Sequence, residues 1–250
     1  MFQRGGISVL PEVIKNLLII NALFFVASLI SLATSNGATN LNSILGLYNP
    51  ASPHFQPYQI VSHMFMHSNV DFTHLFFNMF SLWMFGTNLE NFWGGKRFLI
   101  YYIATGIGAG LLYALFNYIN AQFFIAPDLI NNYGLSSAEL SRLVEEGSNG
   151  NNYIQPLRSY LASFNMPMVG ASGAVYGILL AFGMMFSESK IHLYFLFPIK
   201  AKYFVAGLGA LQLFSAIQND PNNNVAHIAH LGGMLIGYIL IKYWQKKNWR

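Results

Sequence analysis

The sequence predicts an all-α membrane protein with six transmembrane helices, on three observations. Hydrophobic residues make up 54% of the 250 residues and charged residues only 9%, whereas soluble domains carry about 25% charged residues. Six apolar runs approach the roughly 17–25 residues that a helix needs to cross a bilayer. The basic residues also collect on one side of the six-span arrangement.

Each apolar run is interpreted as one membrane helix from its hydropathy and length. The fourth and fifth runs are short or rich in glycine, so their ends are the least sharply defined. All six belong to a single predicted domain, residues 1–250. The predicted spans are residues 15–34, 72–90, 98–120, 168–187, 202–217 and 225–243.

Two connections between these spans are long. Residues 35–71 contain three prolines and two clusters of aromatic and histidine side chains, which predicts an ordered, partly embedded first loop. Residues 121–167 contain two Asn- and Gly-rich stretches on either side of a short helical segment, residues 136–146, capped by Ser136 or Ser137. We expect this second connection to be an extracytoplasmic insertion.

The distribution of charge predicts the orientation. Of the 13 Lys and Arg residues, all but Arg142 and Arg158 fall on one side, so the positive-inside rule places both termini in the cytoplasm. The basic residues flank helices and form no patch, so the expected partners are the lipid bilayer and transmembrane proteins, with no nucleic acid. No transit peptide is recognisable, so we expect a bacterial plasma membrane.

A serine between glycines opens the fourth run, in the sequence Gly170-Ala171-Ser172-Gly173. Small residues fit a simple packing role, but the start of a helix also offers free N–H groups and a dipole that favour a developing oxyanion. Pro167, just before it, favours a helix beginning here. Ser172 is therefore a candidate nucleophile, and the backbone N–H groups from Gly170 to Ser172 are candidate oxyanion donors.

The sixth run carries His227 and His230, where an ionisable side chain is expensive and usually functional. His230 is followed on its own helix face by Gly233 and Gly237, and small residues at this spacing let two helix backbones approach closely. The equivalent positions after His227 hold bulkier side chains. His230 is therefore the candidate general base for Ser172.

Two further polar positions belong to the candidate site. His74 and Asn78 lie four residues apart on one face of the second predicted helix, and both can donate hydrogen bonds to an oxyanion. Their structural alternative is to join helices by hydrogen bonds. Tyr176, one turn beyond Ser172, is either a packing residue or part of the same site.

An H-x-x-x-H pair, His63 and His67, raises the alternative of a zinc protease. Met64 stands where such enzymes carry a glutamate base, and no third ligand is well placed. The chain also contains no cysteine. We therefore expect no metal and no other cofactor, and we predict that these histidines brace the first loop.

In their order and spacing these motifs resemble the rhomboid family of intramembrane serine proteases, over nearly the whole chain. The resemblance implies a six-helix rhomboid-like bundle with an embedded first loop and no seventh span. It departs from the family pattern at Tyr58-Gln59, where many members carry Trp-Arg, and in the length of the connection 121–167. The matching residues are Gly170 and Ser172, His230 with Gly233 and Gly237, His74 and Asn78 of the oxyanion hole, Tyr176 beside the histidine, and Glu90, the acid that ties the second helix to its neighbours.

The predicted function is an intramembrane serine endopeptidase that cuts transmembrane substrates near their extracytoplasmic end. No acid stands at a recognisable triad spacing, so a Ser172–His230 dyad is predicted. One alternative is a catalytically inactive rhomboid-like adaptor or chaperone that binds transmembrane clients, although such proteins lack the serine or the histidine. The other is a transporter, weakened by the lack of internal repeats and by Glu90 being the only intramembrane acid.

Overall fold

A computed structural model describes residues 8–148, 153–193, 197–218 and 224–247. It consists mainly of α-helices, as the sequence predicts, with one short β-hairpin. The helices are α1 (Glu12–Thr34), α2 (Leu41–Leu45), α3 (Gln59–Ser62), α4 (Phe72–Trp93), α5 (Gly95–Asn120), α6 (Ala126–Tyr133), α7 (Ser137–Glu145), α8 (Gln155–Asn165), α9 (Ser172–Met185), α10 (Ala201–Ile217) and α11 (Asn224–Lys246). A 3₁₀ turn (His63–Phe65) follows α3, a π turn (Ala121–Ile125) joins α5 to α6, and strands β1 (Lys190–Leu193) and β2 (Phe197–Lys200) precede α10.

Each predicted span coincides with one helix, whose bounds lie within a few residues of those expected; these helices are α1, α4, α5, α9, α10 and α11. Within the described residues, two stretches are both long and apolar enough to cross a membrane, Glu12–Thr34 and Gly95–Tyr133. Helix α9 is apolar but has only 14 residues. At 1.5 Å per residue it spans about 21 Å, less than the roughly 30 Å of hydrocarbon. The number of six spans therefore stays a prediction.

Helix α9 lies at the centre of the fold and packs against α4, α5, α10 and α11. Most of its side chains are buried in the main hydrophobic core. Two of its three glycines, Gly173 and Gly177, lie against two of the three glycines of α11, Gly233 and Gly237. A Cβ built on Gly233 would lie 1.9 Å from the carbonyl oxygen of Gly173, and one on Gly237 would lie 3.5 Å from the Cα of Gly177. The backbones of α9 and α11 are therefore in direct contact.

Glu90, near the end of α4, joins that helix to the start of α1. Its buried carboxylate accepts hydrogen bonds from the backbone N–H groups of Val13 (2.9 Å) and Ile14 (2.8 Å). The first N–H groups of a helix have no partner within the helix, and the positive end of the helix dipole favours an acidic group there. Glu90 thus caps α1 from a neighbouring helix, which gives a physical basis for the tie that the resemblance implied.

The first loop is ordered, as predicted, and Gln59 holds its two halves together. The side-chain amide nitrogen of this buried residue donates to the carbonyl oxygens of Ile44 (3.2 Å) and His54 (3.1 Å). Its amide oxygen accepts from the backbone N–H groups of Tyr48 and Gln56. One neutral side chain therefore satisfies four backbone groups, so the departure from the family's Trp-Arg pair leaves this loop anchored.

The connection 121–167 differs from the prediction of a turn-rich insertion with one helix. The π turn continues α5 directly into α6, and α8 was not predicted. Leucine and aromatic side chains of α6, α7 and α8 meet in a small core separate from the main one. The predicted cap is present: Ser136 Oγ accepts from the backbone N–H of Glu139, whose carboxylate accepts from the N–H of Ser136. Apolar residues at helical spacing explain why this region folds as helices.

The β-hairpin is an exception to the all-α prediction. Strands β1 and β2 pair antiparallel, with Lys190 opposite Lys200. Glu188, just before β1, forms ion pairs with Lys200 (2.7 Å) and with Lys202. Hydrogen bonds from these two ammonium groups lower the pKa of Glu188 to about 2. The hairpin connects α9 to α10, and the charge distribution of the sequence predicts that this connection lies on the cytoplasmic side.

We expect Gly233→Ala to destabilise the protein, because the new methyl group would collide with backbone atoms of Gly173. Overpacking of this kind costs about 1–3 kcal/mol. Gly207→Ala on α10 is the matched control, since a Cβ there would meet no described atom within 4 Å. Thermal unfolding in detergent measures both variants. Equal melting temperatures for the two would contradict the close contact of α9 and α11.

Candidate active site

Ser172 is the first residue of α9 and is half-buried. The chain reaches it through Gly170, which has φ = +128°, a conformation that residues with a Cβ rarely adopt. The backbone N–H of Gly170 donates to the carbonyl oxygen of His63 at 3.0 Å. Space requires glycine as well, because a Cβ here would lie 3.0 Å from the ring of His74. The serine therefore follows a backbone turn that depends on Gly170.

The imidazole of His74 faces this turn. Its Nδ1 accepts a long hydrogen bond, 3.5 Å, from the backbone N–H of Ser68, which favours the neutral tautomer with its proton on Nε2. A Cβ added to Gly170 would lie 3.0 Å from Nε2 of His74 and 3.6 Å from Oγ of Ser172. The structure thus brings an N–H donor and the serine hydroxyl to the same small space.

Asn78 lies one turn beyond His74 on α4 and is buried. Its side-chain amide donates to the carbonyl oxygen of His74 at 2.9 Å. This bond uses one of the two N–H groups of the amide. The same bond fixes the orientation of the Asn78 side chain, which lies on the same face of α4 as His74.

His230 lies on α11 with its ring stacked on Tyr176 of α9. The ring centroids are 4.0 Å apart and the planes differ by 11°. Tyr176 lies one helical turn after Ser172, so the same face of α9 carries both the serine and the platform for the histidine. The neighbours of the two candidate residues are also close: a Cβ on Gly173 would lie 3.6 Å from the carbonyl oxygen of Ala229.

Sequence reasoning missed Gln212, a half-buried side chain of α10. Its amide oxygen lies 2.9 Å from Nδ1 of His230 and 2.6 Å from Nδ1 of His227. Its amide nitrogen donates to the hydroxyl of Tyr176 at 2.7 Å. An uncharged polar residue in an otherwise apolar run was the available signal, because such side chains in membrane helices usually find a polar partner on another helix.

His63 and His67, the two histidines of the H-x-x-x-H pair in the first loop, are buried. Nδ1 of His63 donates to the carbonyl oxygen of Gln59 at 2.8 Å. Both ring nitrogens of His67 are buried without a hydrogen-bond partner within the described residues, and the ring lies 5.3 Å from that of His74. Burial lowers the pKa of His63 and of His67 to about 4, helped for His67 by the nearby His74. Both are therefore neutral at pH 7.

A metal centre was not expected at these histidines. Within the described part of the chain, no group of three or more His, Asp or Glu side chains is placed to hold a metal ion. Met64, between the two histidines, is a buried core side chain in contact with α5. The expectation of no cofactor stays a prediction.

Residues 54–246 match the family model of the Rhomboid domain, and the chain belongs to the rhomboid family. This family consists mostly of serine proteases that act within membranes, and membership indicates an integral membrane protein. The matched region includes every candidate site residue named above. The resemblance found in the sequence motifs is therefore confirmed at the level of the family.

Three relatives are similar over about 70% of this chain. Rhomboid protein 1, mitochondrial, of Saccharomyces cerevisiae is 29% identical over 172 residues, which cover 69% of this chain and 38% of that protein. RHOMBOID-like protein 12, mitochondrial, of Arabidopsis thaliana is 25% identical over 175 residues, or 69% and 42% of the two chains. Rhomboid protease AarA of Providencia stuartii is 29% identical over 180 residues, or 71% and 52%. The chain thus spans about half or less of the length of these relatives.

We expect Asn78→Ala to lower kcat more than it raises KM, since an oxyanion donor acts mainly in the transition state. The loss should be smaller than the roughly 100- to 1,000-fold seen when one oxyanion donor is removed from a serine protease, because His74 also faces this space. Cleavage kinetics on a transmembrane substrate measure both constants. Asn88→Ala is the matched control: this exposed residue of α4 makes the same type of bond, to the carbonyl oxygen of Met84 at 3.0 Å. A raised KM with unchanged kcat would instead assign Asn78 to substrate binding.

Proposed function

We propose that this chain is an intramembrane serine endopeptidase with a dyad of Ser172 and His230. The observation that carries the proposal is the stacking of His230 on Tyr176, one turn from Ser172 on the same face of α9. It supports a histidine held at a fixed position beside the start of α9. Rhomboid protease AarA, one of the relatives, is a protease by name, and both dyad residues are present here.

The reaction begins with attack of Ser172 Oγ on the carbonyl carbon of the scissile peptide bond. His230 removes the hydroxyl proton and then delivers a proton to the leaving amine, which leaves an acyl-enzyme. Water, activated by the same histidine, hydrolyses this ester and restores the serine. In this proposal His230 transfers a proton in both halves of the reaction.

The tetrahedral oxyanion is stabilised beside Gly170. Nε2–H of His74 faces this space, and the amide of Asn78 and the backbone N–H groups of Ala171 and Ser172 complete the proposed donor set. The N–H of Gly170, which the sequence also made a candidate, is bonded to the carbonyl oxygen of His63 and is not counted among these donors. Because Ser172 is the first residue of α9, the free N–H groups and dipole of the helix start add to this stabilisation. Donors held in place before the reaction need no reorganisation when charge develops.

The proposed substrates are transmembrane proteins in the lipid bilayer. A helical segment hides its peptide carbonyls within the helix, so it must unwind locally before attack. Segments with Gly, Ser or Pro near the cut unwind at lower cost, because these residues weaken a helix. We therefore expect such residues near the scissile bond.

The proposed location is a bacterial plasma membrane, with residues 1–250 forming one rhomboid-like domain of six spans. Both termini lie in the cytoplasm, since 11 of the 13 basic residues then face that side. Ser172 and His230 lie near the outer ends of their helices, with His230 about 9 Å from the first residue of α11 at 1.5 Å per residue. Water reaches this depth from outside more readily than through most of the hydrocarbon.

A fluorophosphonate probe, which labels an activated serine, separates a protease from an inactive adaptor. We expect labelling and cleavage of a transmembrane substrate by the wild type, and a loss of about 10⁴-fold or more in kcat for Ser172→Ala and for His230→Ala. His227→Ala should retain substantial activity. Ser163→Ala on α8 is the control for loss of a hydroxyl. Continued cleavage by the Ser172 variant would contradict the proposal, and an inactive His227 variant beside an active His230 variant would reverse the assignment of the base.

We expect the cut to fall in the outer half of the substrate's membrane segment, since both dyad residues lie near the extracytoplasmic ends of their helices. Mass spectrometry of the fragments, from a substrate of known orientation in liposomes, locates the scissile bond. The same segment inserted in the reverse orientation is the control and should be cut nearer its other end. A cut in the cytoplasmic half would contradict the proposed orientation or the pairing of Ser172 with His230.

A further inference from the structure

Helix α10 is attached to the bundle in two different ways along its length. Near its start, Ala201 and Val205 are buried against the core. Much of the rest of the helix is exposed, and near its other end Gln212 turns toward α9 and α11. Its amide contacts the candidate base and the tyrosine on which that base stacks. This contact is a polar link between α10 and the candidate active site.

The amide oxygen of Gln212 carries no hydrogen, so each imidazole nitrogen bound to it must supply one. Nδ1 of His230, at 2.9 Å, therefore carries a proton. In a neutral imidazole the other nitrogen, Nε2, is then unprotonated. A general base needs this lone pair. With the opposite tautomer, Nε2 would hold a proton and have no lone pair to accept the one from Ser172.

The same amide also fixes the orientation of the ring. Stacking on Tyr176 defines the plane of the imidazole, but the ring can still turn by 180° about its Cβ–Cγ bond, which exchanges the positions of Nδ1 and Cδ2 in nearly the same plane. The hydrogen bond from Nδ1 removes this freedom. Gln212 binds the hydroxyl of Tyr176 at the same time, through its amide nitrogen at 2.7 Å, so the platform and the ring are held by one side chain.

His227 uses the second lone pair of the same oxygen, with its Nδ1 at 2.6 Å. The two histidines lie three residues apart, on one face of α11. The side-chain amide of Gln212 therefore makes three hydrogen bonds to two neighbouring helices, two through its oxygen and one through its nitrogen. Loss of His227 removes one of them and leaves the bond to His230.

We propose that Gln212 is a positioning residue that selects the tautomer and ring orientation of His230, a role that rests on the proposed function. In Ser-His-Asp proteases a carboxylate performs this task. A neutral amide performs it here, in an apolar helix where a charged side chain would be costly. Gln212 does not touch the reacting atoms and acts through His230 alone.

The experiment compares Gln212→Met, which has a similar shape but no comparable hydrogen-bonding group, with Gln212→Glu, which keeps an acceptor for Nδ1–H. For Gln212→Met we expect kcat to fall by about 10- to 100-fold, with KM unchanged; this is the range seen when a hydrogen-bond partner that orients a metal-binding histidine is removed. The rate of fluorophosphonate labelling should fall in parallel, since it depends on the dyad and not on the transmembrane substrate. Gln212→Glu should restore most of the lost kcat.

Gln218→Met, an exposed position just beyond α10, is the matched control and should behave as the wild type. If the wild type is active and Gln212→Met has the same kcat, the role of Gln212 is overturned but the proposed function is not. A folded Gln212→Glu variant with a kcat as low as that of Gln212→Met leads to the same conclusion. If Gln212→Met does not fold, the Glu variant decides: near wild-type turnover supports the role and loss of turnover overturns it. A wild type that neither labels nor cleaves overturns the proposed function, and this role with it.

Discussion

The direct backbone contact of α9 and α11 is the constraint on which the candidate site depends. Gly173 meets Gly233, where a Cβ would overlap the carbonyl group of Gly173, and a Cβ on Gly237 would be in van der Waals contact with Gly177. Lipid tails are as apolar as leucine, so membrane helices gain little from hydrophobic burial and associate through close packing and hydrogen bonds. The hydroxyl of Tyr101 on α5 strengthens this contact by donating to the carbonyl oxygen of Gly177 at 2.8 Å.

The opposite wall of the site depends on a different part of the chain. Gly170 is held by the carbonyl of His63, and Leu47 pairs with Met168 through two backbone hydrogen bonds of 2.8 Å. Both contacts tie the turn before α9 to the first loop, whose halves Gln59 joins. The loop is therefore part of the support for the proposed oxyanion donors, although it lies far from them in the sequence. A single buried amide, that of Gln59, therefore supports this wall of the site.

Three polar side chains have the same use in this fold: each one links two segments that packing alone would hold less specifically. Glu90 caps α1 from α4, Gln59 joins two stretches of the first loop, and Gln212 joins α10 to α9 and α11. Because a polar group in an apolar environment is costly without a partner, each such contact favours one arrangement over slightly shifted alternatives. The positions that define the candidate site are therefore held by directional bonds as well as by shape.

Local properties of the sequence were enough to locate the main helices and the family. Hydropathy and helical spacing act within one segment, so the six apolar runs were predicted near the observed helices, and the cap of α7 was narrowed to Ser136 or Ser137, of which Ser136 forms it. Ser172, His74, Asn78 and His230 stood out as polar residues in or at the edge of apolar runs, and glycine spacing distinguished His230 from His227.

Only the tertiary structure revealed the contacts between distant segments. The contacts of Gln212 with Tyr176 and His230 could not be predicted from the sequence. Helical spacing indicates which residues share a face of one helix, but it does not indicate which faces of different helices meet. The same reason applies to Gln59, whose partners are backbone groups in the folded loop, and to Glu90, whose cap on α1 requires the two helices to be adjacent. The hairpin before α10 depends on pairing between strands, which hydropathy does not encode. Sequence determined the helices and the candidate dyad, and the fold decided which side chain orients the histidine.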